Sequence, residues 1–240
     1  MRAVLPLTAI LLLGACGLHA EGDGGRHARQ DFAVGAFQKV ALAGSMDVVV
    51  TVGGAPSVRA EGNKAAIDRL DIRVENGELN IGSKGHVGWS WDFGGSRRNR
   101  VTVYVTAPSL AAATVSGSGD MKIDKVAGTD FDASVTGSGD LNVRNLQVTR
   151  AGFNVSGSGD VEARGTAQQA NISMAGSGDF RGGGLEIGNA TVSVIGSGDV
   201  AARATQTADV SVTSSGDVQL SGPAKCNIHK MGSGDVHCGA

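Results

Sequence analysis

Seven carboxylates recur at a near-constant interval: Asp120, Asp140, Asp160, Asp179, Asp199, Asp217 and Asp235, separated by 20, 20, 19, 20, 18 and 18 positions. Five end the tetrapeptide Gly-Ser-Gly-Asp from Gly117 to Asp199, one ends Ser214-Ser215-Gly216-Asp217, and the last ends Gly232-Ser233-Gly234-Asp235. A file of carboxylates can accept hydrogen bonds from turn amides, bridge cations, or supply an acid and base pair. A fixed period favours the first, a structural corner. Calcium-binding β-rolls use G-G-x-G-x-D, whereas Asp here follows Gly directly, so a calcium ladder is the alternative and calcium the only cofactor considered. Cleavage of glycosides needs two carboxylates facing each other across a cleft, and the chain has neither a Gly-x-Ser-x-Gly elbow nor a His-Glu-x-x-His helix. No catalytic residue is assigned and an enzyme is not expected.

Two other groupings carry chemistry. Trp89, Trp91 and Phe93 alternate, and Arg97, Arg98 and Arg100 follow. Rings on one face beside guanidinium donors can stack sugars or dock a partner, or the rings can plug the end of a core. Near the C-terminus stand Cys226, His229, His237 and Cys238. A disulfide between Cys226 and Cys238 suits an exported protein; free buried thiols and a Cys2His2 metal site are the alternatives, and no metal ligand is assigned.

The elements that must position these groups follow from the same repeat. Five residues before the Asp stand Val115, Val135, Val155, Met174, Val194, Val212 and Lys230, and one after it Met121, Leu141, Val161, Phe180, Val200, Val218 and Val236. Apolar residues also recur in steps of two, which means strands. A repeat of about 20 residues in which each unit buries its apolar side only on its neighbours is a solenoid. The expected fold is all-β: a single-stranded parallel β-helix with a strand, a Gly-Ser-Gly-Asp corner, a strand and a second, variable corner in each coil. Small residues nine before the Asp (Ala111, Ala151, Ala170, Ala190, Ala208) suggest a thin lumen, with Cys226 in the same column and Cys238 at an inward position. Residues 32–110 use the same alphabet less regularly. Gly44-Ser45-Met46-Asp47 is a worn corner, a turn or short helix covers Lys64 to Leu70, strands surround Ile72–Val74 and Glu78–Ile81, and Pro108 ends the strand that begins at Val101.

Composition agrees. Gly supplies 38 of 240 residues without a Gly-X-Y period, which excludes collagen, and 41% apolar residues are too many for a disordered chain. With 21 Lys and Arg against 23 Asp and Glu, no nucleic-acid surface is expected. Residues 1–15 join Met1-Arg2 to an apolar stretch too short to span a bilayer, as in a secretion signal. It ends in Leu13-Gly14-Ala15-Cys16, which resembles the lipobox of bacterial lipoproteins. Cys16 is then the expected lipidation site and membrane anchor, residues 16–31 a flexible tether, and residues 32–240 the folded domain, irregular over 32–110 and regular over 111–240. Gly17, with no Asp after the Cys, favours the outer membrane.

The Phe-x-x-Val opening with Gly-Ser-x-Asp-Val, the step Asn76-Gly77-Glu78-Leu79-Asn80-Ile81, the Val-x-Val-x-Val-x-x-Pro-x-Leu run to Leu110 and the serial corners together resemble the head GIN domain family of auto-transporter adhesins, over about residues 32–238. That resemblance implies a bacterial envelope β-helix, often a lipoprotein, with no family active site to carry over. The expected function is adhesin-like binding of a polysaccharide or protein partner at the surface or in the periplasm. A structural envelope protein that self-associates into a homo-oligomer through its solenoid ends is the first alternative, and a calcium-binding β-roll-like module the second.

Overall fold

The computed structural model describes residues 27–84 and 100–239. In chain order its elements are β1 (His27–Phe32), β2 (Lys39–Gly44), β3 (Asp47–Val52), β4 (Ser57–Asn63), a one-turn helix α1 (Lys64–Ile67), β5 (Leu70–Glu75), β6 (Glu78–Ser83) and β7 (Val101–Ala107). Then follow β8 (Ala112–Gly117), β9 (Met121–Ile123), β10 (Val126–Gly137), β11 (Leu141–Gly157), β12 (Val161–Gly176), β13 (Phe180–Gly196) and β14 (Val200–Ser214). The stack ends with β15 (Val218–Ser221), β16 (Lys225–Gly232) and β17 (Val236–Cys238).

From β8 onward each strand pairs in parallel with its equivalent one coil away, as in Val115, Val135, Val155, Met174, Val194 and Val212. All of these are buried, and among the described residues no polar or charged residue is. The fold is the expected parallel β-solenoid. Its coil has one more side than expected. After the Gly-Ser-Gly-Asp corner a short second run is followed by a register shift, at Val143/Leu146, Glu162/Arg164 and Gly182/Glu186. A third run then ends where pairing is interrupted at Thr149, Gln168 and Gly188. Two successive exposed residues there, as at Gln168 and Gln169, reverse the in-out phase and turn the chain into the next coil.

The thin-lumen expectation is corrected by the phenylalanines. Phe131 occupies the small-residue column, opposite Ala151, and Phe153 and Phe180 occupy two other columns; all three are fully buried. Each ring is accommodated locally by a small neighbour: Ala133 two positions on from Phe131, Ala151 two before Phe153, and Gly182, where a Cβ would strike the Phe180 ring. Phe153 and Phe180 pack with centroids 4.9 Å apart.

The front half is a coil with an insertion. β2 and β3, joined by the worn corner, stack directly on β8 and β9, with Lys39 opposite Ala112 and Val48 opposite Met121. The intervening chain returns to the other side: β6 pairs parallel with β2, and β7 with β3. The antiparallel strands β5 (on β6), β4 (on β7) and β1 (on β4) then close that end. Asn63 caps α1 by accepting the Ala66 N–H at 3.3 Å.

The corner glycines explain the register. The first glycine has positive φ, +117° at Gly137 and +134° at Gly196, a region costly for other residues. The second does not, yet a Cβ on Gly139, Gly159, Gly178 or Gly198 would lie closer than 3.0 Å to a carbonyl oxygen of the coil before. Met46 stands at the second position of the worn corner and is buried, and a Cβ on Gly119 of the next coil would lie closer than 3.0 Å to its carbonyl oxygen. Ser214, at a first position, holds φ of +126° without being glycine. Two substitutions should therefore move stability oppositely. Gly178→Ala should cost about 3 kcal/mol through steric overlap, while Ser214→Gly should gain about 1 kcal/mol by releasing strain; denaturant melts of the two variants read both signs.

Candidate functional site

The Asp file comes together at the corner, and the structure shows what its carboxylates do. Each but Asp235 accepts an N–H from the next coil: Asp140 N–H to Asp120 Oδ1 at 3.1 Å, Asp160 to Asp140 at 2.9 Å, and Asp179 to Asp160 at 2.8 Å. Asp199, Asp217 and Asp235 continue the ladder at 3.1, 2.9 and 2.7 Å. The bond therefore runs between coils rather than within one turn, as an Asx turn would have it. Beside it, Ser177 and Gly178 both donate to the Gly157 carbonyl, at 2.8 and 3.2 Å, and the same fork recurs along the stack.

Arg181 braces the file, reaching Asp160 Oδ2 at 2.8 Å and Asp179 Oδ2 at 3.1 Å. Burial pulls its guanidinium down, but the two carboxylates together outweigh that and hold it above its ordinary value. A groove of about 240 Å³ runs along this edge, lined by Asp120, Asp140, Asp160, Glu162, Lys122, Asn142 and Arg181. Among the described residues no three acidic, His or Cys side chains converge as a metal site would require.

A second and larger groove, about 640 Å³, lies across the third bend. Its lining comes from β10 to β14 and is dominated by amides and hydroxyls: Gln147, Thr149, Thr166, Gln168, Gln169, Asn189, Thr205 and Gln206, with Glu186 the one carboxylate. These residues hold fixed offsets from the next Asp, with Gln147, Thr166 and Glu186 thirteen before it and Thr149, Gln168 and Gln206 eleven before it. The residue type changes from coil to coil, however, so no column of one type marks them. The signal that could have found them is the density of Gln, Asn and Thr between one corner and the next.

At the far end, Cys226 aligns with Ala208 and Cys238 with Leu220, and the two cysteines form a disulfide across a Cα separation of 6.6 Å. His229 pairs in register with Ser211 and His237 with Gln219, on different strands. Of the aromatic segment, Trp89, Trp91, Phe93, Arg97 and Arg98 lie outside the described residues, as does Cys16. Arg100 is described and exposed, just before β7. β6 ends and β7 begins beside the Gly44–Asp47 corner, with Ile81 opposite Leu42 and Thr102 opposite Asp47.

Two variants separate the corner chemistry. Asp160→Ala removes the acceptor of the Asp179 amide and should lower stability by about 1–2 kcal/mol, while Asp160→Asn keeps an oxygen there and should cost about half as much. A calcium ladder would instead show a melting midpoint that rises with millimolar calcium and loses that rise in both variants. Removing the disulfide by Cys226→Ala/Cys238→Ala should cost about 2–3 kcal/mol and expose the amides of β16 and β17 to exchange first.

A crystal structure from Bacteroides fragilis described as a "putative adhesin" matches with a TM-score of 0.80 at 21% identity, over 90% of this chain and 97% of that one. A "putative lipid binding protein" from Parabacteroides distasonis matches at 0.70 and 21%, over 90% and 97%. A "putative adhesin" from Parabacteroides merdae matches at 0.67 and 15%, over 88% and 95%. At these identities the likeness is one of fold. No curated protein matches the chain. The family described as "Putative auto-transporter adhesin, head GIN domain" matches residues 36–224, and the chain belongs to it.

Proposed function

We propose that the chain is a non-enzymatic cell-envelope lipoprotein, anchored through an acylated Cys16, whose solenoid sides form an adhesin-like surface for an envelope polysaccharide or protein. The observation that carries this reading is the parallel pairing of β10 to β14, coil on coil with register shifts confined to the bends, which holds outward side chains in axial rows beside an open polar groove. Rows fixed by backbone pairing lose little entropy when they bind, so many weak polar contacts can add. The carboxylates that an enzyme reading would recruit are already bonded to the next coil's amides. Membership of an adhesin family supports an envelope location, and no helix among the described residues is long and apolar enough to cross a membrane. Both grooves have mainly polar linings, which favours a polar ligand over a lipid.

Self-association through the solenoid ends is a second reading, and one observation favours it: on β16, Ile228 in an inward column is 42% exposed, and Met231, three residues on in an outward position, is 70% exposed. Against it, Lys230 occupies another inward column with its Nζ 3.6 Å from Asp235, and an inward charge is a common way to stop a stack from growing.

Two measurements decide. In a bacterial host the full chain should fractionate with membranes and Cys16→Ala should not; equal fractionation would remove the anchor. Sedimentation over a hundredfold concentration range should give a constant monomer mass while immobilised protein retains an envelope component. A mass that climbs with concentration, with nothing retained, would favour the structural reading.

A further inference from the structure

We infer that the groove across the third bend binds a linear, uncharged polysaccharide lying along the solenoid axis; this deepens the adhesin-like reading and rests on it. Shape is the first support. The groove holds about 640 Å³ and takes its lining from five successive strands, β10 to β14. Parallel strands lie about 4.8 Å apart, so the recognition groups repeat at roughly the length of one hexose along an extended chain. A ligand that fills the groove must itself be extended and periodic.

Chemistry is the second. Gln147, Gln168, Gln169, Asn189 and Gln206 present amides, and Thr166 a hydroxyl. An amide offers two donor hydrogens and an acceptor oxygen, and a sugar hydroxyl both donates and accepts, so neighbouring hydroxyls on a ring can be bridged by one side chain. Asn189 Oδ1 takes the Thr207 hydroxyl at 2.7 Å, which orients its NH2 as the donor. The one carboxylate of the lining, Glu186, has Arg203 at 3.8 Å to offset it. A phosphate, a uronate or a cation would find no unopposed charge to bind.

The floor is the third. At Gly188 bare backbone forms the floor, since a Cβ there would come within 2.6 Å of the Gln168 carbonyl and no side chain fits. Val148 and Ala167, buried in the core, reach the floor only at their edges, so a ligand is held mainly by the polar groups around them. An extended peptide is less well served. Peptides commonly add as a strand to a free sheet edge, and β11, β12 and β13 are paired on both sides.

The test is calorimetry of the full chain with cellohexaose, xylohexaose, mannohexaose and maltohexaose, with a hexagalacturonate as charged control. It is repeated with deproteinised envelope polysaccharide. Gln168→Ala/Gln169→Ala and Thr166→Glu alter the groove at exposed positions, and Asn142→Ala alters the corner groove; unchanged melting midpoints confirm folding. The expected result is binding of at least one neutral hexasaccharide, weakened tenfold or more by either groove variant and unaffected by Asn142→Ala. Binding that ignores the groove variants, or that is confined to the hexagalacturonate, overturns the inference. If no neutral hexasaccharide binds but the immobilised chain still retains an envelope component, this inference fails and the adhesin-like reading stands; if nothing is retained, both fail.

Discussion

Contact between one corner backbone and the next governs this molecule. At each Gly-Ser-Gly-Asp step a glycine comes so near the carbonyl of the coil before that a Cβ would lie inside 3.0 Å, and two N–H groups share a single carbonyl oxygen there. That approach leaves one register for the strands on either side. A slip of one residue would bring a side chain into the glycine's place and turn every apolar residue outward. The inward columns are buried because the corner allows no other alignment.

Fixed register also decides which polar groups are free. The Asp of each corner is placed under the amide of the next, so its Oδ1 is committed to the stack, and Arg181 takes up Oδ2 of Asp160 and Asp179. On the third bend the chain turns without such a ladder, and the Gln and Thr side chains there border open space. Scaffold and recognition surface thus use different sides of the same coil. The two ends are finished differently, by antiparallel strands at the front and by a disulfide with an inward lysine at the other end.

Much of this is legible in the sequence because it is local and repeated. The Asp interval, the two-residue alternation around Val135 or Val194 and the Gly pair at each corner identify a parallel solenoid, and Cys226 and Cys238 fall in inward columns by counting from the Asp. What is not legible depends on distant pairing. Lys39 lies opposite Ala112 across an insertion that folds back to the other side of β2, and no periodicity announces that. The groove is hidden for a different reason: Gln147, Thr166 and Glu186 all stand thirteen before the next Asp and align by counting, but the residue type there changes from coil to coil, and only the folded coil shows that these rows border open space. Phe131 in the small-residue column shows that lumen width follows from neighbouring columns together, not from one column read alone.

The most direct test of the central claim is residue-resolved amide hydrogen exchange at the corners. If inter-coil bonding at the corners sets the register, the amides of Ser177, Gly178 and Asp179, bound to the Gly157 carbonyl and the Asp160 carboxylate, should be protected as strongly as the inner amides of β12. Corner amides that exchange at the rate of exposed loops while β12 stays protected would contradict it, and would mean that the strands alone hold the stack.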